Sequence, residues 1–89
     1  MARFEMHSAD MAAMGEKSVT ADILFQMGLD SACGRNGETD LVTAHKWFNI
    51  AALKGNKDAV QYRKEISGEM SPSQIAEAQR SAREWLSMH

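Results

Sequence analysis

The sequence predicts an all-α fold on three observations. Apolar residues recur at intervals of three and four along most of the chain, the period of a helix with one buried face. Most glycines and the single proline fall between these runs, and β-branched residues never alternate over a strand-length window. Between Ile23 and Ala59, two apolar runs flank a short polar turn, with small residues where two helices would have to approach closely. That is the pattern of a helix-turn-helix hairpin, the unit from which α-solenoids are built.

Five helices are expected. Residues 3–14 carry Phe4, Met11 and Met14 among Ala9, Ala12 and Ala13, a short helix closed by Gly15. Four of the seven methionines lie in the first 14 residues, and their soft side chains suit adaptable contacts. The second helix spans 19–33, with Ser18 or Thr20 as its cap. On a helical wheel Ile23, Leu24, Met27 and Gly28 share one sector, Ser31 joins them, and Phe25 and Leu29 point almost the opposite way. A glycine inside a helix costs about 1 kcal/mol against alanine. Close contact between Gly28 and another helix is the expected compensation.

Residues Gly34 to Thr39 form the turn, where Gly34 suits a left-handed position and Asn36 and Gly37 tolerate positive φ. Asp40, with Thr39 as the alternative, caps a third helix over 41–54. Leu41, Ala44, Trp47, Phe48, Ala51 and Ala52 give that helix a wide apolar face. Gly55 stops it, and Asn56 caps a fourth helix over 57–69, whose stripe is Ala59, Tyr62, Arg63, Ile66 and Met70. Ser71, Pro72 and Gln74 then spell a capping box with proline in the first turn, and Met70 and Ile75 are placed to form a hydrophobic staple. The fifth helix, over 72–86, presents Ile75, Ala78, Ala82, Trp85 and Leu86, and Ser87 to His89 form a tail.

Composition narrows the function classes. A chain of 89 residues is one domain by default and buries only roughly 60–65% of its unfolded surface. The net charge of −2 and a pI near 5.9 lack the basic footprint of a nucleic-acid binder. Arg63, Lys64, Arg80 and Arg83 are interleaved with Glu65, Glu69, Glu77 and Glu84, which reads as a solvated face. Cys33 is the only cysteine, so no intramolecular disulfide forms, and a lone thiol fits a reducing, cytoplasmic compartment. The first ten residues lack the apolar core of a signal peptide, and no apolar run is long enough for membrane insertion.

A repeat organises the two halves. Ala82 and Trp85 echo Ala44 and Trp47 at a spacing of 38, and Ala59 stands 36 residues after Ile23. A period near 36–38 fits stacked helix pairs. The stretch from Met27-Gly28 through Gly34, Asp40, Ala44, Trp47, Phe48, Ala51, Ala52, Gly55 and Ala59 resembles the Sel-one-like repeat family, relatives of tetratricopeptide repeats. Ile23, Ser31 and Asn36 depart from the family's alanine, tyrosine and second turn glycine.

The resemblance implies an α-α superhelix of about one and a half to two helix-turn-helix repeats after an N-terminal helix. Together with the repeat spacing it divides the single domain into repeat one at 19–55 and a degenerate repeat two with its C-terminal capping helix at 57–86, after a helix at 3–14 that the resemblance does not cover. It also implies a scaffold that holds other proteins and carries no catalytic site. Carried onto this chain, the groove of such repeats would be lined by Asp22, Phe25 and Leu29. Phe25 and Leu29 are either covered by the methionine-rich first helix or open to a partner, and both hold if that helix is displaced on binding.

Other constellations read as structural. His7, His45 and His89 share no zinc-ligand spacing with each other or with Cys33, and His45 is expected on a solvated helix face. Asp40 reads as a cap rather than a catalytic carboxylate, and Glu38 beside it as a solvated turn residue. Cys33 near a helix C-terminus gains nothing from the dipole that would lower a thiol pKa. No phosphate loop follows Gly34-Arg35-Asn36-Gly37, and Trp47 and Trp85 read as core.

The expected function is therefore a small cytosolic adaptor or accessory subunit that binds a peptide or helix of a partner protein, with no catalytic residue, cofactor or metal. Repeat arrays usually need about three units to stand alone, so burial against a second copy or within a larger complex is expected too. The alternatives are a regulatory domain that binds a small ligand, and a thiol-dependent enzyme acting through Cys33.

Overall fold

The structure, a computed structural model, describes residues 20–35 and 37–89. They form four helices: α1 over 20–33, α2 over Leu41–Leu53, α3 over Lys57–Ser67 and α4 over Pro72–Met88. No strand occurs among the described residues. The last four of the five expected helices are thus present, with ends within two residues of those read from sequence. The helix expected over 3–14, and its role as a cover, lie outside the described residues.

The starts of the helices are set by side chains that satisfy otherwise orphaned N–H groups. Asp40 Oδ1 accepts from the Thr43 N–H at 3.0 Å, and its Oδ2 accepts from the Thr43 hydroxyl at 2.7 Å. Asn56 Oδ1 accepts from the Ala59 N–H at 2.9 Å. At α4 both halves of the capping box form: the Gln74 N–H donates to Ser71 Oγ, and the Ser71 N–H donates to Gln74 Oε1. Met70 is buried and Ile75 lies against the core, as a staple requires.

The ends differ in mechanism. After α1, Gly34 takes φ +71°, and the Arg35 N–H reaches back to the Asp30 carbonyl at 3.0 Å. After α2, Gly55 takes φ +114°, its N–H bonds the Ala52 carbonyl, and the Asn56 N–H bonds that of Ala51. Both bonds of a Schellman motif are therefore made there, and the next residue is already the cap of α3. Gly68 does not follow this route. Its φ is −65°, and α3 ends by tightening into a turn of i to i+3 bonds at Gly68, Glu69 and Met70.

Helix α2 is the centre of the fold. Helix α1 packs on it through Gly28 and Phe48, and α3 and α4 both run along it. The Asp40 N–H, at the start of α2, also donates to the Ser31 carbonyl of α1 at 2.9 Å, which pins the hairpin at its turn. Ala44, Phe48, Ile50 and Ala51 are fully buried. Ile50 points away from the apolar face read from sequence. Only a helix with neighbours on more than one side buries both arcs.

The face of α1 requires a correction. Its inward stripe is Ala21, Leu24, Phe25, Gly28, Leu29 and Ala32, all buried or half-buried. Ile23 and Met27, expected in the core sector, are 57% and 37% exposed. Phe25 and Leu29, expected to point away, lie against the core. The spacing i, i+3, i+4, i+7, i+8, i+11 from Ala21 defines one face. The small Ala21, not the larger Ile23 or Met27, marks the covered side of this helix.

Candidate functional site

Asp22, Phe25 and Leu29 share one side of α1, and the structure brings the first two against α3. The Asn56 side-chain amide donates to Asp22 Oδ1 at 2.8 Å across the two helices. The Phe25 ring meets Tyr62 edge-on, with centroids 5.2 Å apart, and lies 5.6 Å from the ring of Phe48. Tyr62 completes the triangle at 5.7 Å from Phe48 and remains 41% exposed. Leu29 is half-buried at the end of the same row. The face across α1 and α3 is thus an aromatic ridge over the core with an acid at one end. It is shallower than an open groove, because Phe25 is half covered by its neighbours.

A second feature was not legible as a site. His45 is 2% exposed rather than solvated. On the helical wheel it stands at the edge of the apolar arc, beside Ala52 and Leu41 on one side and Asn49 on the other, so periodicity alone leaves its burial undecided. His45 lines a cleft of about 410 Å³ where α2, α3 and α4 converge. Asn49 from α2, Arg63 and Lys64 from α3, and Ile75 and Gln79 from α4 share that lining. Arg63 Nη1 donates to Asn49 Oδ1 at 2.7 Å. The Nδ1 atom of His45 is buried and has no hydrogen-bond partner.

Burial pushes the His45 pKa below its ordinary 6.5, and the positive charge of Arg63 pushes the same way. A weaker interaction with its own backbone opposes them. The imidazole is therefore neutral at neutral pH.

The remaining candidates are scattered. Cys33 is a free, exposed thiol at the end of α1. Near it Asp30 accepts from Gln26 and from Arg35, each at 3.1 Å, and these bonds, Gln26 first, hold its carboxyl below the usual range. Trp47 and Trp85 pack edge-to-face at 5.7 Å, with Lys46 Nζ 4.5 Å from the Trp47 ring centre and His89 stacked on Trp85. Among the described residues, no three His, Cys, Asp or Glu side chains cluster as metal ligands would, and no helix is long and apolar enough to cross a membrane. The chain matches no known family, no curated protein and no solved structure.

Proposed function

We propose that this chain is a short helical-repeat docking module, an adaptor or accessory subunit that holds a peptide or helix of a partner protein against the face of α1 and α3. Asp22, Phe25 and Leu29 are its contact residues. One observation carries the reading: equivalent helices of the two halves meet like on like. The first helices, α1 and α3, touch through Phe25 and Tyr62. The second helices, α2 and α4, touch through Trp47 and Trp85, which stand 38 residues apart in sequence. Ala44 and Ala82, at the same spacing, are both fully buried. Repetition of a hairpin along one axis produces this pairing, and it supports a solenoid of the Sel-one-like type.

The reading assigns the chain no catalytic chemistry and no nucleic-acid contact. The described residues hold two hairpins against the usual three, so on this reading a protein surface or a second copy completes the cover. Affinity capture from the source cell tests the face. Wild type is compared with Asp22→Lys plus Leu29→Lys, and with a control, Arg80→Glu, on the exposed side of α4. Loss of one captured protein in the double variant, retained by the control at unchanged helicity, is the expected result. Equal capture by all three overturns the proposal.

A further inference from the structure

We propose that the cleft between α2, α3 and α4 binds a small oxyanion, a carboxylate or phosphate group, held by His45, Arg63 and Lys64 with uptake of one proton by the His45 ring. Arg63 and Lys64 share α3 with the docking face, but neither they nor His45 are among its contact residues Asp22, Phe25 and Leu29, so the inference goes beyond that reading and does not depend on it. Its first support is the orphaned Nδ1 of His45, a polar atom buried without a partner. Such an atom has given up its hydrogen bonds to water without replacing them, and native proteins retain few of them. A structural histidine at a core position normally finds a backbone or side-chain partner; this one lines the cleft with that atom unpaired.

The charge around the cleft is the second support. The chain as a whole is acidic, yet no acidic side chain lines this cleft. Arg63 and Lys64 enter from α3, Asn49 from α2, and Ile75 and Gln79, neither charged, from α4. The Asn49 carbonyl oxygen holds Arg63 Nη1 at 2.7 Å, which orients the guanidinium and leaves its other N–H groups for a ligand. A planar fork beside an ammonium recognises carboxylate or phosphate oxygens. The volume, about 410 Å³, lies within the range of small-molecule pockets.

Proton uptake follows from the same geometry. Without a ligand, Arg63 repels an imidazolium. An anion between the two cancels that repulsion and gives the protonated ring an acceptor. The proton comes from solvent, and no covalent bond changes.

The test is an NMR titration of the three imidazoles from about pH 5 to about pH 8, assigned with a His45→Gln variant. It is run in bis-tris chloride alone, with sulfate, which stays fully ionised in that range, and with acetate, counted by its ionised fraction, about two-thirds at pH 5 and nearly all above pH 6. The expected result is a rise in the His45 midpoint of about half a unit or more, with His7 and His89 unmoved. Affinity should tighten about tenfold for each unit of that rise as the pH falls. Lys64→Gln, an exposed change, should reduce the rise while the fold is kept. A larger response to sulfate assigns the site to phosphate groups, and a larger response to acetate assigns it to carboxylates. Equal movement of all three histidines, or none, overturns the proposal, as does a response that Lys64→Gln leaves intact.

Discussion

Adding a single methyl group at Gly28 tests how closely α1 and α2 approach. A Cβ built there would stand 2.5 and 2.6 Å from Phe48 Cε1 and Cδ1, and 3.2 Å from Cζ. Ordinary carbon contacts begin near 3.5 Å, so the ring would have to retreat by about 1 Å. Phe48 is fully buried, and the rings of Phe25 and Tyr62 stand 5.6 and 5.7 Å away, so retreat pushes the strain into the core. Overpacking of this kind costs about 1–3 kcal/mol, and a misfit near 1 Å belongs at the upper end. Alanine returns about 1 kcal/mol through its better helix propensity.

The net expectation for Gly28→Ala is a loss of about 1–2 kcal/mol, a fall in Tm of about 5–15 °C for a domain this size. Urea unfolding followed by circular dichroism measures it. A second cycle separates the clash from other effects. Phe48→Leu alone should destabilise, yet combined with Gly28→Ala it should be less harmful than the sum by about 1 kcal/mol or more, because the smaller side chain makes room. Refutation is equally clear: a Gly28→Ala protein more stable than wild type, or strict additivity with Phe48→Leu, means that the helices do not meet at this point.

Gly68→Ala should act in the opposite direction, because φ is −65° and the nearest atom to an added Cβ is 3.4 Å away; thermal unfolding should show a gain of about 0.4–1 kcal/mol. Asp40→Ala should lose about 1 kcal/mol at neutral pH in urea titrations, through the lost cap. The Thr43 N–H and then its hydroxyl hold the Asp40 carboxyl below 3.8, so this advantage is present above that pH and disappears as the pH falls through the folded value. His45 has the reverse protonation order to a salt-bridged histidine: the unfolded chain takes its proton first. Its contribution is therefore complete above about pH 7 and shrinks as the pH falls from about 6.5 toward the lower folded pKa. In bis-tris chloride, His45→Gln should flatten that segment of the stability curve, which unfolding midpoints at a series of pH values will show.

The helices themselves and the residues that bound them could be read from the chain alone, because they depend on interactions within a few positions. Asp40, Asn56 and the Ser71–Gln74 pair cap their own first turns, and Gly34 and Gly55 close their own last turns. The small size of Gly28 announced a close neighbour, whereas the spacing of Trp47 and Trp85 marked a repeat and their edge-to-face contact appears only in the fold. The burial of Ile50, the inward turn of Phe25 and Leu29, and the burial of His45 required the assembled fold. A helical wheel ranks faces by the side chains of one helix. What covers a face is decided by other helices, and α2, with neighbours on several sides, buries residues that its own periodicity leaves in water.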